Sequence, residues 1–255
     1  MRPRYLEIEG LQSFKESQSV DFDVLGETGL FGIFGPTGSG KTSTLAAIVD
    51  AINNSRACHI VTIEEPVEYQ HSNRLAIIEQ IEVGRDTPAF LQSLRSILRQ
   101  SPDVILVGEM RDPETISTVL TAAETGHLVL STLHTNDTAQ AISRILDSFP
   151  SANQPQIRQQ LSLALAAIVA QQLVPAAHGS ARFPALEVLI GTDAIRNLIR
   201  TGNDHQIRTQ LTMSRAAGMI TMEQSLAELV RSGRVTRETA TAHCFRHDDL
   251  LRMLD

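Results

Sequence analysis

The eight-residue segment 35–42 (GPTGSGKT) restricts the possible folds of this chain more than any other segment does. It fits the pattern G-x-x-x-x-G-K-[ST] in full, and it lies between an apolar run at 30–34 and a segment with helical spacing. In such a loop, backbone N–H groups turn inward around phosphates, a lysine neutralises phosphate oxygens, and a threonine hydroxyl ligates Mg²⁺. The helix that follows adds its positive N-terminus. The segment therefore predicts a site for ATP and Mg²⁺.

The predicted nucleotide-binding residues are Gly35, Pro36, Thr37, Gly38, Ser39, Gly40, Lys41, Thr42 and Ser43.

Strands and helices alternate through most of the chain, which predicts a mostly parallel sheet covered on both faces. We expect strands at 30–34, 59–63, 104–107, 127–133 and 185–190, and helices after the loop and at 87–100, 113–124, 137–147 and 154–173. The most apolar stretch, 161–174, is too short to span a bilayer, so we predict a buried helix there.

Two further parts flank this core. Residues 4–10 and 18–24 are predicted as short strands, and glycines separate short helices at 193–200, about 205–216, 222–231 and 236–243. The predicted fold is therefore α/β: an N-terminal strand pair at 1–29, a RecA-like P-loop NTPase core with a mostly parallel sheet at 30–191, and a small helical C-terminal domain at 192–255.

Carboxylates follow two of the predicted strands. Ligands of open α/β sheets bind at the carboxyl edge of the strands, so Glu109, after strand 104–107, should face the Mg²⁺ or the attacking water. We therefore predict Thr42 and Glu109 as metal ligands. Glu64 and Glu65 end strand 59–63, and one of them is placed to polarise water for in-line attack, although spacing does not choose between them.

Basic side chains complete the set of candidates. His134 follows strand 127–133 and is either structural or a sensor of the γ-phosphate through a hydrogen bond. Arg95 and Arg99 share one helix face, as solvated charges or as groups that stabilise phosphate across a subunit interface.

Composition sets the remaining limits. A formal net charge of −7 argues against a protein that works mainly as a broad DNA-coating surface, so a nucleic-acid partner is not expected, although the charge leaves room for a local basic patch. Charged residues interrupt the N-terminus, so no signal peptide is predicted, and Cys58 and Cys244 are expected to be reduced thiols. We expect a cytoplasmic protein with no membrane insertion of its own, which reaches the inner membrane only through a partner.

From Gly35 onward the motifs occur in a specific order: the loop itself, 61–68 (VTIEEPVE), 94–99 (LRSILR), 103–112 (DVILVGEMRD), 121–127 (TAAETGH), 131–135 (STLHT) and 194–200 (AIRNLIR). This series resembles the PilT-type ATPases of type IV pili, within the secretion ATPase superfamily. The resemblance implies a hexameric ATPase that withdraws pilin from the fibre, drives twitching motility and meets a platform protein of the inner membrane. It makes Arg85, Arg95, Arg99 and Arg111 candidate phosphate or intersubunit arginines.

Two departures accompany the resemblance. Family members carry an N-terminal PAS-like domain that packs on the neighbouring subunit, and we expect that domain to be missing here. The family often places an arginine next to Gln80, where this chain has Ile81, which leaves Arg85 as the substitute.

Residues 1–41 instead resemble the amino terminus of SbcC, an SMC-like ATPase of DNA repair, which suggests a fusion joined inside the loop. The SbcC-like part brings no long heptad repeat, zinc hook or signature motif.

The leading hypothesis is thus a PilT-like motor. The alternatives are a nucleotide-binding module with weak turnover and an SbcC-like DNA-repair ATPase.

Overall fold

The structure, a computed structural model, describes residues 5–8, 18–21 and 28–255. A seven-stranded sheet has the spatial order β5-β4-β6-β7-β3-β8-β9, and all neighbouring pairs except β8–β9 are parallel. The strands are β3 (Gly29–Phe34), β4 (His59–Glu64), β5 (Ile77–Glu82), β6 (Val104–Val107), β7 (Leu128–Leu133), β8 (Leu165–Pro175) and β9 (Arg182–Ile190). The predicted α/β class with a mostly parallel sheet is confirmed.

A separate antiparallel pair, β1 (Tyr5–Ile8) and β2 (Gln18–Asp21), precedes this sheet. Both strands were predicted from the sequence. The other positions of the predicted strands 4–10 and 18–24 lie outside the described residues.

Helices cover the two faces of the large sheet. Helix α1 (Lys41–Ser55) packs on the face that carries Phe31 and Ile33, whereas Leu30 and Phe34 of the same strand point into a core shared with the helices of the opposite face. This alternation follows from the two-residue period of a strand. The helices of the opposite face are α2 (Phe90–Ile97), α3 (Pro113–Glu124), α4 (Thr138–Asp147) and α5 (Gln154–Ala164).

One prediction is wrong. The apolar stretch 161–174 is not a single buried helix, because α5 ends at Ala164 and β8 begins at Leu165. A short apolar run fits a buried helix and a buried strand equally well by periodicity, and here tertiary pairing decides. Parallel pairing with β3 makes β8 a central strand, with Ile33 opposite Val169 and Phe34 opposite Ala170.

Other boundaries shift by a few residues. The predicted helix 87–100 begins at Phe90, and its last three residues form a 3₁₀ turn. The edge strand β5 was not predicted, because its IIEQIE sequence alternates weakly. No helix in the described part of the chain has the length and apolar character needed to cross a membrane.

Short helices follow β9: α6 (Asp193–Thr201), α7 (Ile207–Met213), α8 (Met222–Arg231), α9 (Arg237–His243) and α10 (His247–Leu254). The first four lie close to their predicted positions, although 3₁₀ turns flank α7 within the predicted span 205–216, and α10 was not predicted. Part of this segment packs against Val174 of β8 and Ala185 of β9 in a separate apolar cluster, which includes Leu226, Val235 and Leu250.

A group of charged side chains joins these helices to the sheet. Glu223 on α8 is fully buried and its Oε2 accepts a 2.7 Å hydrogen bond from Arg208 on α7. The same guanidinium lies 3.5 Å from Glu187 on β9, and Glu187 Oε1 accepts bonds from the backbone N–H and the hydroxyl of Thr138 at the start of α4. One cation therefore holds two buried carboxylates on different elements.

Replacing Arg208 by alanine should lower the free energy of unfolding by about 3–5 kcal/mol, because the buried carboxyl group of Glu223 would lose its cationic partner. Arg215→Ala is the matched control, since Arg215 bonds the half-exposed Glu228 on the surface and should cost less than about 1 kcal/mol. Urea unfolding of both variants measures the difference. Equal losses would show that the buried group contributes no more than a surface pair.

Candidate nucleotide and catalytic site

The loop between β3 and α1 is shaped by close backbone contacts. A Cβ added at Gly35 would lie 2.2 Å from the backbone oxygen of Gln171 on β8, so no larger residue fits there. Gly40 adopts a φ of 83°, which favours glycine, and α1 begins at the next residue. The first turn of α1 carries no acidic side chain and Gly40 gives it no side-chain cap. Its N–H groups and positive helix end thus face the loop, as an anion site requires.

Lys41 folds back over this loop. Its ammonium donates to the backbone oxygens of Gly35 and Pro36, the latter at 3.2 Å, and lies 3.3 Å from His134 Nδ1. Burial lowers the pKa of Lys41, and the nearby carboxylate of Glu109 opposes that shift. The cation is therefore held next to the loop at low solvation, where it interacts most strongly with an anion.

Two neighbouring strands bring Glu109 and His134 together. Glu109 follows β6 and His134 follows β7, and their side chains meet with 3.2 Å between Oε1 and Nε2. The other oxygen of Glu109 accepts a 2.7 Å bond from Arg111 Nε. Arg111 also bonds Glu65 through Nη1 at 2.9 Å. Sequence-predicted residues from three strand ends thus form one connected group.

Glu64 and Glu65 have different surroundings. Glu64 is half-buried, and its Oε1 accepts bonds from the hydroxyl of Thr62 at 2.7 Å and the amide of Gln80 at 3.4 Å. Burial raises the pKa of Glu64, and those two bonds oppose the rise. Glu65 is exposed and paired with Arg111. The structure thus distinguishes two carboxylates that spacing alone left equivalent.

A cavity of about 520 Å³ opens beside the loop, and Lys41, Glu64, Glu65, Glu109 and His134 line it. Its lining also includes Thr37 to Ser43 and Arg111. Residues 37–43 of the predicted nucleotide-binding set and the predicted catalytic residues therefore line one cavity at the carboxyl edge of the sheet, whereas Gly35 and Pro36 lie outside its lining.

The other three candidate arginines lie outside the lining of this cavity. Arg85 pairs with Asp86 and Glu82, and the exposed Arg95 lies 3.6 Å from Glu114. Arg99 is also exposed. Their action at a phosphate or across an interface stays a prediction.

Sequence reasoning missed three contacts of the loop and α1. Thr42 donates to Glu68 at 3.3 Å, and the hydroxyls of Ser43 and Tyr69 lie 2.8 Å apart. Gln171 Nε2 donates to the backbone oxygen of Ser39 at 2.7 Å. Glu68 could have been suspected from the sequence, because it belongs to the acidic segment 61–68. Nothing in the apolar run 161–174 marks Gln171 as a contact of the loop.

The donor set suits Mg²⁺ rather than a metal held by protein alone. The part of the chain that the structure describes contains no group of three or more His, Cys, Asp or Glu side chains that could hold a metal ion. The cavity offers instead the hydroxyl of Thr42 and the carboxylate of Glu109, both oxygen ligands. Mg²⁺ is commonly held by one or two such groups together with water and substrate phosphates.

Comparison with known proteins identifies the family of this chain. The model of the family described as "Type II/IV secretion system protein" matches residues 3–247. The chain belongs to this family. A twitching motility protein of Neisseria gonorrhoeae is 48% identical over 212 residues, which are 83% of this chain and 57% of the relative. The type IV pilus retraction ATPase PilT of Pseudomonas aeruginosa is 47% identical over 83% of this chain and 61% of its own length.

Solved structures of the family share the fold. A crystal structure of the pilus retraction motor PilT with bound ADP superimposes with a TM-score of 0.82 at 46% identity, over 88% of this chain and 64% of the other. The ATPase DotB of Legionella pneumophila gives a TM-score of 0.78 at 27% identity, over 86% and 60%. This chain thus spans less than two thirds of the length of these secretion-family relatives.

The family model also runs through most of residues 1–41. The comparisons give no support to the predicted resemblance of that segment to SbcC, which stays a prediction.

Glu64→Gln should stabilise the protein more at pH 8 than at pH 4. A carboxyl group whose pKa is raised on folding binds more protons in the native state, so its ionisation lowers stability as pH rises from the unfolded pKa through the folded one. Glutamine keeps an acceptor for Thr62 and removes the charge. The free energy of unfolding of variant and wild type, measured in urea across this range, should diverge with rising pH. A difference that is constant with pH would contradict the expected shift.

Proposed function

We propose that this chain binds ATP with Mg²⁺ and hydrolyses the γ-phosphate bond. The observation that carries the proposal is the single cavity in which Lys41, Glu109, His134 and the pair Glu64–Glu65 meet beside the loop. The PilT structure with bound ADP, at 46% identity, supports the same nucleotide class.

Each group has a role that its position supports. Lys41 and the N-terminus of α1 bind the β- and γ-phosphate oxygens, and Thr42 and Glu109 hold the metal ion, which supplies neutralising charge when bound. His134, in contact with both Lys41 and Glu109, senses the terminal phosphate by hydrogen bonding. Arg111 holds the carboxylate of Glu109 in place and stays available to phosphate charge.

We assign the polarisation of water to Glu64. Its partners Thr62 and Gln80 are neutral, and its pKa is raised by burial, which makes its carboxylate the stronger base. Glu65 has its charge matched by Arg111 and is exposed, so it suits a positioning role.

We further propose that the chain works as one subunit of a homohexameric ring that drives type IV pilus retraction and twitching motility. The names of the 47–48% identical relatives support this proposal. The exposed arginines Arg95 and Arg99 fit contacts with a neighbouring subunit. A platform protein of the inner membrane is the expected partner, and the division into segments 1–29, 30–191 and 192–255 stays a prediction.

The direct test is ATPase activity of the purified chain with Lys41→Ala as the control. We expect phosphate release that the substitution lowers by at least about a hundredfold, because the phosphate charge loses its main cation. Mass measurement with bound nucleotide should give a hexamer. A monomer whose activity equals that of the Lys41→Ala control would contradict the motor proposal. Tight ATP binding without phosphate release would favour a nucleotide-binding module.

Comparing Glu64→Gln with Glu65→Gln tests the assignment of the base. Glu64→Gln should lower kcat by about 10²–10⁴-fold with little change in KM, as expected when a general base is removed. Glu65→Gln should lower kcat less than about tenfold, because Glu65 acts only through Arg111. If Glu65→Gln lowered kcat more than Glu64→Gln did, the role of general base would be assigned to Glu65.

A further inference from the structure

Gln171 on β8 contacts the phosphate loop at several points. Its side-chain Nε2 donates to the backbone oxygen of Ser39 at 2.7 Å, and its Oε1 accepts from the hydroxyl of Thr44 at 2.9 Å. Its backbone oxygen lies close to Gly35, since a Cβ added at Gly35 would be 2.2 Å from that oxygen. One residue therefore contacts the start of the loop, its tip and the first turn of α1.

These contacts are shielded from water. Gln171 is 2% exposed, and Ser39 and Thr44 are 3% and 5% exposed. Gly40 is packed against the same amide, since a Cβ there would lie 3.0 Å from Nε2. A buried amide with both its donor and its acceptor paired fixes its neighbours strongly, because each unmade bond would leave a buried polar group without a partner.

The orientation of the amide is set by its partners. The backbone oxygen of Ser39 can only accept a hydrogen bond, so the group that faces it must be the NH₂ of Gln171. The carbonyl oxygen then faces the hydroxyl of Thr44, which donates. The donor that faces Ser39 is therefore required, and an ionised carboxylate or an apolar side chain of the same size does not supply it.

We infer that Gln171 is a positioning residue for the phosphate site: it holds the peptide at Ser39 so that the loop N–H groups point at the phosphates. The inference rests on the proposed function, since it concerns the same nucleotide site. Gln171 does not itself line the cavity, whereas Ser39, Gly40 and Lys41 do. It therefore acts through the loop, and its loss should weaken phosphate binding more than it changes the fold.

The neighbouring residue provides a matched control. Gln172 donates to the backbone oxygen of His243 at 2.8 Å, at the end of α9, and its Oε1 lies 3.3 Å from the ring of the same histidine. Successive strand residues point to opposite faces, so two identical amides on β8 serve the loop and the C-terminal helices respectively.

The first experiment measures ADP affinity by calorimetry for wild type, Gln171→Leu, Gln172→Leu and Lys41→Ala. We expect Gln171→Leu to raise the Kd for ADP about ten- to thirtyfold and Gln172→Leu to change it less than about twofold. An unchanged Kd in Gln171→Leu, with Lys41→Ala impaired, would overturn this inference and leave the proposed function standing. If wild type and Lys41→Ala bind equally, the proposed function fails and the inference falls with it.

A second variant tests the role of the donor without relying on a change of shape. Gln171→Glu has the same size, but its ionised carboxylate faces the carbonyl of Ser39 with no proton to donate. Burial next to an acceptor raises the pKa of such a carboxyl, and the protonated form restores a donor. ADP affinity of Gln171→Glu, relative to wild type at each pH, should therefore recover several-fold between pH 8 and pH 5.5.

Gln172→Glu should show no such recovery. A flat ratio for Gln171→Glu, or the same slope in both variants, would contradict a role for the donor at Gln171. Thermal unfolding without nucleotide, followed in parallel, separates a folding defect from a loss of binding.

Discussion

Strand β3 lies between β7 and β8, and the rest of the site depends on its parallel pairing with both. All six residues of β3 are buried, and each is in register with a residue of β7, from Gly29 opposite Leu128 to Phe34 opposite Leu133. A central parallel strand ends at the edge where its neighbours also end, so the phosphate loop emerges beside the carboxyl ends of β6, β7 and β4. Glu109, His134 and Glu64 occupy those ends, and the site follows from the strand order.

Electrostatics then decide what the assembled groups can do. Lys41 and Arg111 supply positive charge, and Glu65 and Glu109 contact or lie near them, so acidic and basic side chains lie close together at the edge of the sheet. Glu64 differs because its carboxylate accepts hydrogen bonds from the neutral groups of Thr62 and Gln80, and burial raises its pKa. These surroundings support the proposed roles of Lys41 and Arg111 at a polyphosphate and of Glu64 at the attacking water.

Much of this arrangement could be predicted from the sequence, because the phosphate loop and the strand-end carboxylates are local patterns with fixed geometric meaning. The strand order places Glu64, Glu109 and His134 at one edge, as the spacing alone suggested. The choice between Glu64 and Glu65 depends on burial and on Arg111, which are tertiary facts. Likewise, the sequence predicts a buried helix around Gln171, because nothing local in that apolar run indicates that it pairs with β3.

The hydrogen bonds between Thr138 and Glu187 connect the candidate site to the C-terminal helices. His134 is fixed at the phosphate edge by Lys41 and Glu109, and Thr138 is fixed to β9 by two hydrogen bonds to Glu187. Only residues 135–137 separate these two positions along the chain. Glu187 also contacts Arg208 on α7, and the same guanidinium bonds Glu223 on α8. We therefore expect a change in the position of His134 to reach α7 and α8 through this series of contacts.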